Sequence, residues 1–114
     1  MSKLGKTQIE EIERHAEEAA ALLALIANPK RLLILCRLAE AELPVGALAE
    51  RVGLSPSALS QHLARLREAG LVATRRERQS IHYRLASDRV RQIMDALYHI
   101  FCGPARADPE PPAP

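Results

Sequence analysis

Aromatic residues are nearly missing from this sequence, whose 114 residues include one Phe, two Tyr and no Trp. The core therefore has to be built from Ala, Leu, Ile and Val, and we expect packed helices. So short a chain has a modest core that dimerisation would enlarge. No apolar run approaches the roughly 20 residues of a membrane-spanning helix, and the polar start has no signal-peptide pattern. We expect a cytoplasmic protein with no membrane partner.

Catalytic constellations are missing as well. The two cysteines, Cys36 and Cys102, are too far apart to form a Cys-x-x-Cys motif. No Ser–His–Asp or Cys–His–Asp set can be identified from spacing. We expect no enzyme and no bound cofactor.

Charge is unevenly distributed along the chain. Residues 51–91 contain nine Arg and three acidic residues, whereas residues 1–27 contain three basic and five acidic residues. Such a basic block is typical of a protein that binds the phosphate backbone of nucleic acid. A solvated charged surface is the alternative interpretation.

The first part of the chain predicts two helices. Thr7 followed by Glu10 is a capping-box pattern, and it predicts the start of the first helix. Its apolar residues follow a heptad-like spacing that suits a dimerisation helix or packing on its own domain: Ile9, Ile12, Ala16, Ala19, Leu23 and Ile26. Asn28-Pro29 predicts a second helix to about Ala41. That helix is apolar on nearly all sides, which predicts that Cys36 lies in or near the core.

The centre of the chain predicts a helix-turn-helix followed by a hairpin. A short helix over residues 45–52 ends at Gly53, and Ser55-Pro56 opens the next helix. Strands over about 72–76 and 80–85 form a hairpin with its tip at 77–79. A last helix runs from Ser87 or Asp88 to about Phe101. The final eleven residues contain five of the eight prolines, so we expect one domain over 1–103 and a disordered Pro-rich tail over 104–114.

This order is that of a winged helix-turn-helix, a mainly α fold with a small β-hairpin wing between the fourth and fifth helices. Small polar residues at the start of the fourth helix suit insertion into a major groove. Gln61 can pair with adenine, Ser57 and Ser60 can contact bases or phosphates, and the wing arginines suit the backbone or minor groove. The predicted DNA-binding residues are Ser55, Ser57, Ser60, Gln61, His62, Arg65, Arg75, Arg76, Arg78 and Gln79.

The stretch SPSALSQHLARLREAGLV resembles the recognition helix and wing entry of the ArsR family of bacterial repressors, and the likeness covers residues 8–103. The resemblance implies a homodimer formed by the first and last helices. It also implies that the dimer binds inverted-repeat operator DNA and releases it when an inducer binds.

The metal ligands of many relatives are not present. Metal sensors often carry two cysteines in a stretch resembling ELCVCDL, where this chain has Pro44 and Gly46. Other relatives bind zinc on the last helix, where Asp88 is present but Val90 and Phe101 occupy imidazole positions. We therefore predict no metal site. A two-thiol site completed by His15 or His99 is the alternative.

The two cysteines instead resemble the sensing thiols of the SqrR/BigR subgroup. The resemblance implies that Cys36 and Cys102 of one protomer sense reactive sulfur species, such as persulfides, and that the protein represses sulfide-detoxification genes. The inducer could also be peroxide, another electrophile or a metal ion. A protein-interaction module and a thiol peroxidase are interpretations from other classes.

The chemistry of such a pair constrains its geometry. One thiolate attacks a sulfane sulfur and the other thiol resolves the product. A plain disulfide needs Cα atoms within about 7 Å, and inserted sulfurs relax that limit. His99 is the candidate helper for Cys102. The negative end of the helix dipole disfavours a thiolate at Cys102, which favours Cys36 as the first attacker.

Overall fold

A computed structural model describes residues 4–103, so the predicted tail over 104–114 lies outside the described residues. The described part contains five helices and three strands. The elements are α1 (Lys6–Ile26), α2 (Pro29–Glu40), β1 (Leu43–Pro44), α3 (Val45–Val52), α4 (Pro56–Glu68), β2 (Val72–Glu77), β3 (Ser80–Leu85) and α5 (Asp88–Cys102). The predicted winged helix-turn-helix is confirmed.

Helix α2 lies at the centre of the core. Its side chains Ile34, Leu35 and Leu38 are buried, and the helix contacts α1, α3, β3 and α5. Asn28 caps its start, because the Asn28 side chain accepts hydrogen bonds from the backbone N–H groups of Lys30 and Arg31. These contacts fix where α2 begins and which side of it faces inward.

One prediction about α2 was wrong. Cys36 is exposed, as is Leu33 one turn earlier. The helix buries only one side, although its sequence is apolar nearly all round. A second prediction was also wrong: α1 begins at Lys6 rather than after Thr7, because the Gln8 side chain accepts a hydrogen bond from the backbone N–H of Gly5 at 2.7 Å.

The helix-turn-helix is formed by α3 and α4. Gly53 ends α3 with a φ of +71°, a left-handed conformation that glycine adopts without strain. Ser55 caps α4, and Pro56 is its first residue. Leu59, Leu63 and Leu66 are buried, as predicted. The opposite side of α4 is therefore presented outward.

The sheet has three antiparallel strands in the order β1-β3-β2. The two-residue strand β1 was not predicted, since two residues show no alternation. It pairs Leu43 with Tyr83, and this pairing anchors the base of the β2–β3 wing to the segment before α3.

Large apolar side chains are exposed on α1 and α5. On α1, Ile12 is 56% exposed, and on α5, Phe101 is 75% exposed. The two helices are linked by an ion pair between Arg89 Nη1 and Glu18 Oε2 at 2.8 Å. The sequence left two roles open for α1, namely dimerisation and packing on its own domain. In the described structure, the last turns of α1 pack on the domain, where Ile26 is buried.

Within residues 4–103, no helix taken alone combines the length and apolar character needed to cross a membrane. In this described part of the chain, α1 and α2 together meet that test, as a pair bent by 94°.

Candidate nucleic-acid interface and thiol site

The exposed side of α4 carries the small polar residues selected from the sequence. Ser57, Ser60 and Gln61 are exposed. Ser55 Oγ accepts a hydrogen bond from the backbone N–H of Ala58 at 3.2 Å, so its first structural role is to cap the helix. Because the side chains near the start of α4 are short, the N-terminal end of this helix can approach base edges and phosphates closely.

His62 differs from these neighbours, because it is half-buried. Burial lowers its pKa below the ordinary value, and the charges of Arg31 and Arg65 lower it further. The lowered pKa favours the neutral imidazole, which suits packing at the edge of α4.

The wing presents an arginine-rich tip. Arg76, Arg78 and Gln79 are exposed, and Arg78 adopts a left-handed φ of 58° in the turn between β2 and β3. Arg65 on α4 is exposed as well. The arginines place positive charge on α4 and at the tip of the wing.

Arg75 is engaged within the protein. Its Nε donates a hydrogen bond to Glu42 Oε1 at 3.0 Å, and its Nη2 lies 3.5 Å from Glu77 Oε1. The hydrogen bond from Arg75 lowers the pKa of Glu42. Glu42 was not singled out from the sequence, because only the unpredicted strand β1 brings it to the wing.

Cys36 faces α5. Its Sγ donates a hydrogen bond to Met94 Sδ at 3.5 Å, and Met94 is buried. Although the residue as a whole is exposed, burial of the thiol raises its pKa, a rise that nearby Arg37 opposes and Cys102 reinforces. The raised pKa leaves less thiolate at neutral pH, which opposes the helix-dipole argument for Cys36 as the first attacker.

Cys102 is the last residue of α5, and it is exposed. It follows Met94 by eight residues, about 12 Å of helix rise. Both cysteines are free thiols. His99 lies one turn before Cys102, and its ring makes an edge contact with Tyr98 at 5.7 Å between centroids.

Within residues 4–103, no group of three or more His, Cys, Asp or Glu side chains is arranged to hold a metal ion. His15, one candidate third ligand, instead lies 3.4 Å from Glu18 on α1.

The chain is similar in sequence to known bacterial regulatory proteins. The family described as bacterial regulatory protein, arsR family, matches residues 28–74. Nodulation protein NolR of Rhizobium meliloti is 56% identical over 91 residues, which cover 78% of this chain and 75% of NolR.

Two solved structures share the fold. The transcriptional repressor BigR from Xylella fastidiosa is 44% identical with a TM-score of 0.78, over 82% of this chain and 95% of BigR. Reduced HlyU from Vibrio cholerae is 47% identical with a TM-score of 0.76, over 82% of this chain and 98% of HlyU. HlyU of that organism is named a transcriptional activator.

A helix-turn-helix flanked by an arginine-rich wing defines a DNA-binding transcriptional regulator. The chain belongs to the arsR family of bacterial regulatory proteins, and it is a transcriptional repressor of the group that contains BigR and HlyU. The resemblance drawn from the recognition-helix segment is confirmed. Because the family consists of DNA-binding regulators, the expectation that the chain is not an enzyme is confirmed too.

The Glu42–Arg75 pair provides the first prediction. Glu42→Gln removes the charge that holds Arg75 and frees its guanidinium for a phosphate. We expect tighter DNA binding and a salt dependence steeper by about one counterion, measured by fluorescence anisotropy at several salt concentrations.

Glu50→Gln on the exposed side of α3 is the matched control, since it makes the same change in net charge. Equal gains in both variants would show that net charge, rather than release of Arg75, sets the affinity.

The pKa of Cys36 provides the second prediction. In a Cys102→Ser protein, we expect the alkylation rate of Cys36 to reach half its maximum at a higher pH than that of free cysteine, because burial disfavours the thiolate. Iodoacetamide trapping across a pH series measures this midpoint. A midpoint at or below that of free cysteine would contradict the described environment of the thiol.

Proposed function

We propose that the chain acts as a homodimeric repressor that binds an inverted-repeat operator and releases it when reactive sulfur species join Cys36 to Cys102. The observation that carries this proposal is the contact between Cys36 and Met94, because it directs the thiol toward the helix that ends at Cys102. Sulfide-detoxification genes are the corresponding regulated class. Operator binding implies a cytoplasmic location.

For DNA binding, we assign base contacts to α4 and backbone contacts to the wing. Gln61 is the proposed adenine reader, with Ser57 and Ser60 beside it. Arg65 and the wing tip are the proposed phosphate or minor-groove contacts. Arg75 contributes only after it leaves Glu42, and His62 contributes through packing. The whole proposed set is Ser55, Ser57, Ser60, Gln61, His62, Arg65, Arg75, Arg76, Arg78 and Gln79.

For dimerisation, we assign the interface to α1 and α5. Their exposed apolar side chains, such as Ile12 and Phe101, would be covered by the same helices of a second copy. Burial of apolar area drives such association. The Glu18–Arg89 ion pair would hold the two helices in one unit within each protomer.

The sulfur chemistry balances without a further oxidant. A Cys36 thiolate attacks the terminal sulfur of a persulfide R–S–SH, the S–S bond of that persulfide breaks, and R–S⁻ leaves while the Cys36 thiol becomes a persulfide. Cys102 reacts in the same way with a second persulfide. The deprotonated Cys36 persulfide then attacks Sγ of the Cys102 persulfide and displaces HS⁻, which leaves a bridge of three sulfurs: Sγ of Cys36, one added sulfur and Sγ of Cys102.

We propose a bridge with inserted sulfur rather than a plain disulfide. Cys36 lies against α5, the helix that ends at Cys102, and Cys102 contributes to the raised pKa of Cys36. Each added sulfur extends the bridge by up to about 2 Å. Inserted sulfur therefore widens the range of thiol separations that can be bridged, and on this ground we propose persulfides rather than peroxide as the inducer.

The structural effect of the bridge would reach the recognition helices through α5 and α2. Tying Cys102 toward α2 shifts α5, and α5 is part of the proposed dimer interface. The two recognition helices then leave the spacing of successive major grooves, about 34 Å. A rigid-body change of this kind is a common allosteric mechanism.

The interface provides the third prediction. Ile12→Glu introduces a charge into the proposed contact, and we expect the protein to sediment as a monomer at micromolar concentration because an unpaired charge is costly to bury. Analytical ultracentrifugation measures the mass. Ile81→Glu is the control, because Ile81 is an exposed isoleucine on the wing. A dimer that survives Ile12→Glu would overturn the assignment to α1.

The thiol pair provides the fourth prediction. Polysulfide treatment should weaken operator binding by the parent protein by about tenfold or more, within the range of allosteric coupling, and dithiothreitol should restore it. Cys36→Ser and Cys102→Ser should bind the operator normally and keep it after treatment. Release that persists in both variants would eliminate the thiol-pair mechanism, and zinc titration with and without alkylation would then test a metal inducer.

A further inference from the structure

An open groove of about 690 Å³ lies between α2 and α5. Pockets that bind small molecules have volumes of about 300–1,000 Å³, so this groove can accommodate a ligand the size of a tripeptide. Leu33, Met94 and Tyr98 provide its apolar lining. The groove is therefore large in comparison with an inorganic polysulfide ion.

The groove contains the proposed reactive thiol. Cys36 lines it, and its Sγ lies 3.5 Å from Met94 Sδ. A ligand that lies in the groove between α2 and α5 would thus be in reach of the Cys36 sulfur.

Two guanidinium groups also line the groove. Arg91 lines the groove from α5, and its Nη1 donates to the carbonyl of Ala39 at a long 3.3 Å. Arg91 makes no ion pair within 4.0 Å among residues 4–103. Arg37 lines the α2 wall, 3.5 Å from Glu40. A guanidinium has five N–H donors in a fork that matches a carboxylate. Arg91 therefore has N–H groups beyond the one that contacts Ala39, and these can bind a ligand carboxylate.

Carboxylates are also part of the lining, namely Glu40 and Asp95. With two guanidiniums and two carboxylates around an apolar floor, the groove is complementary to a zwitterion rather than to a simple anion. A peptide-like thiol derivative, with carboxylates and an ammonium group, has this charge pattern.

We infer that this groove binds carboxylate-bearing, peptide-like persulfides, and that Arg91 recognises a carboxylate so that the terminal sulfur is delivered to Cys36. The inference rests on the proposed sulfur-sensing function and adds a specificity determinant to it. The covalent step is the transfer of one sulfur to the Cys36 thiolate, with the ligand thiolate as leaving group. Arg91 is a positioning residue for that step.

The test compares two ligands that differ only in their carboxylates: glutathione persulfide and the persulfide of glutathione dimethyl ester. In the dimeric full chain, the rate of sulfur addition to Cys36 is followed by mass spectrometry for the parent and for Arg91→Gln. We expect Arg91→Gln to slow the reaction with glutathione persulfide by about tenfold, the effect of losing one charge-assisted bidentate contact. The ester should react at nearly the same rate with both proteins.

Arg51→Gln is the matched control, since it makes the same change in charge at an exposed arginine on α3, outside the groove. It should leave both rates unchanged, and operator binding by each variant shows that it is folded. Equal effects of Arg91→Gln on both ligands, or no effect on either, would overturn the inference and leave the thiol switch standing. A parent protein that gains no sulfur from either ligand would instead overturn the proposed function.

Discussion

Burial of one side of α2 is the constraint on which the rest of the structure depends. Ile34, Leu35 and Leu38 of this helix are inaccessible, and the helix contacts α1, α3, β3 and α5. Full burial of aliphatic side chains of this size is worth about 1.5–3 kcal/mol each. Because that side faces inward, the Cys36 side is turned outward along α5. The thiol therefore lies at the surface of the seam between the two helices.

The helix-turn-helix and the proposed thiol switch meet at this helix. On one side, α2 contacts α3, the first helix of the helix-turn-helix. On the other, it forms with α5 the groove that contains Cys36. A displacement of α5 relative to α2 would thus be transmitted with few intermediate contacts. The proposed switch needs no rearrangement inside a protomer other than a shift of α5, which then reorients the two protomers.

Much of the fold could be predicted from the sequence because local signals agree with tertiary packing. The Ser55-Pro56 start of α4 and its buried stripe are confirmed, since a cap and a regular apolar spacing determine both. The environment of Cys36 could not be predicted, because an apolar helix does not reveal which side its neighbours leave open. The Glu42–Arg75 pair joins residues 33 positions apart, and only strand pairing brings them together.

The central claim is that Cys36 and Cys102 of one protomer become joined by a bridge that contains added sulfur. Peptide mapping by mass spectrometry tests it most directly, on dimers mixed from isotopically labelled and unlabelled chains and treated with polysulfide or with peroxide. The account predicts linked Cys36 and Cys102 peptides from the same chain, with extra sulfur after polysulfide and little plain disulfide after peroxide. Links between labelled and unlabelled chains, or equal yields of plain disulfide from both reagents, would contradict it.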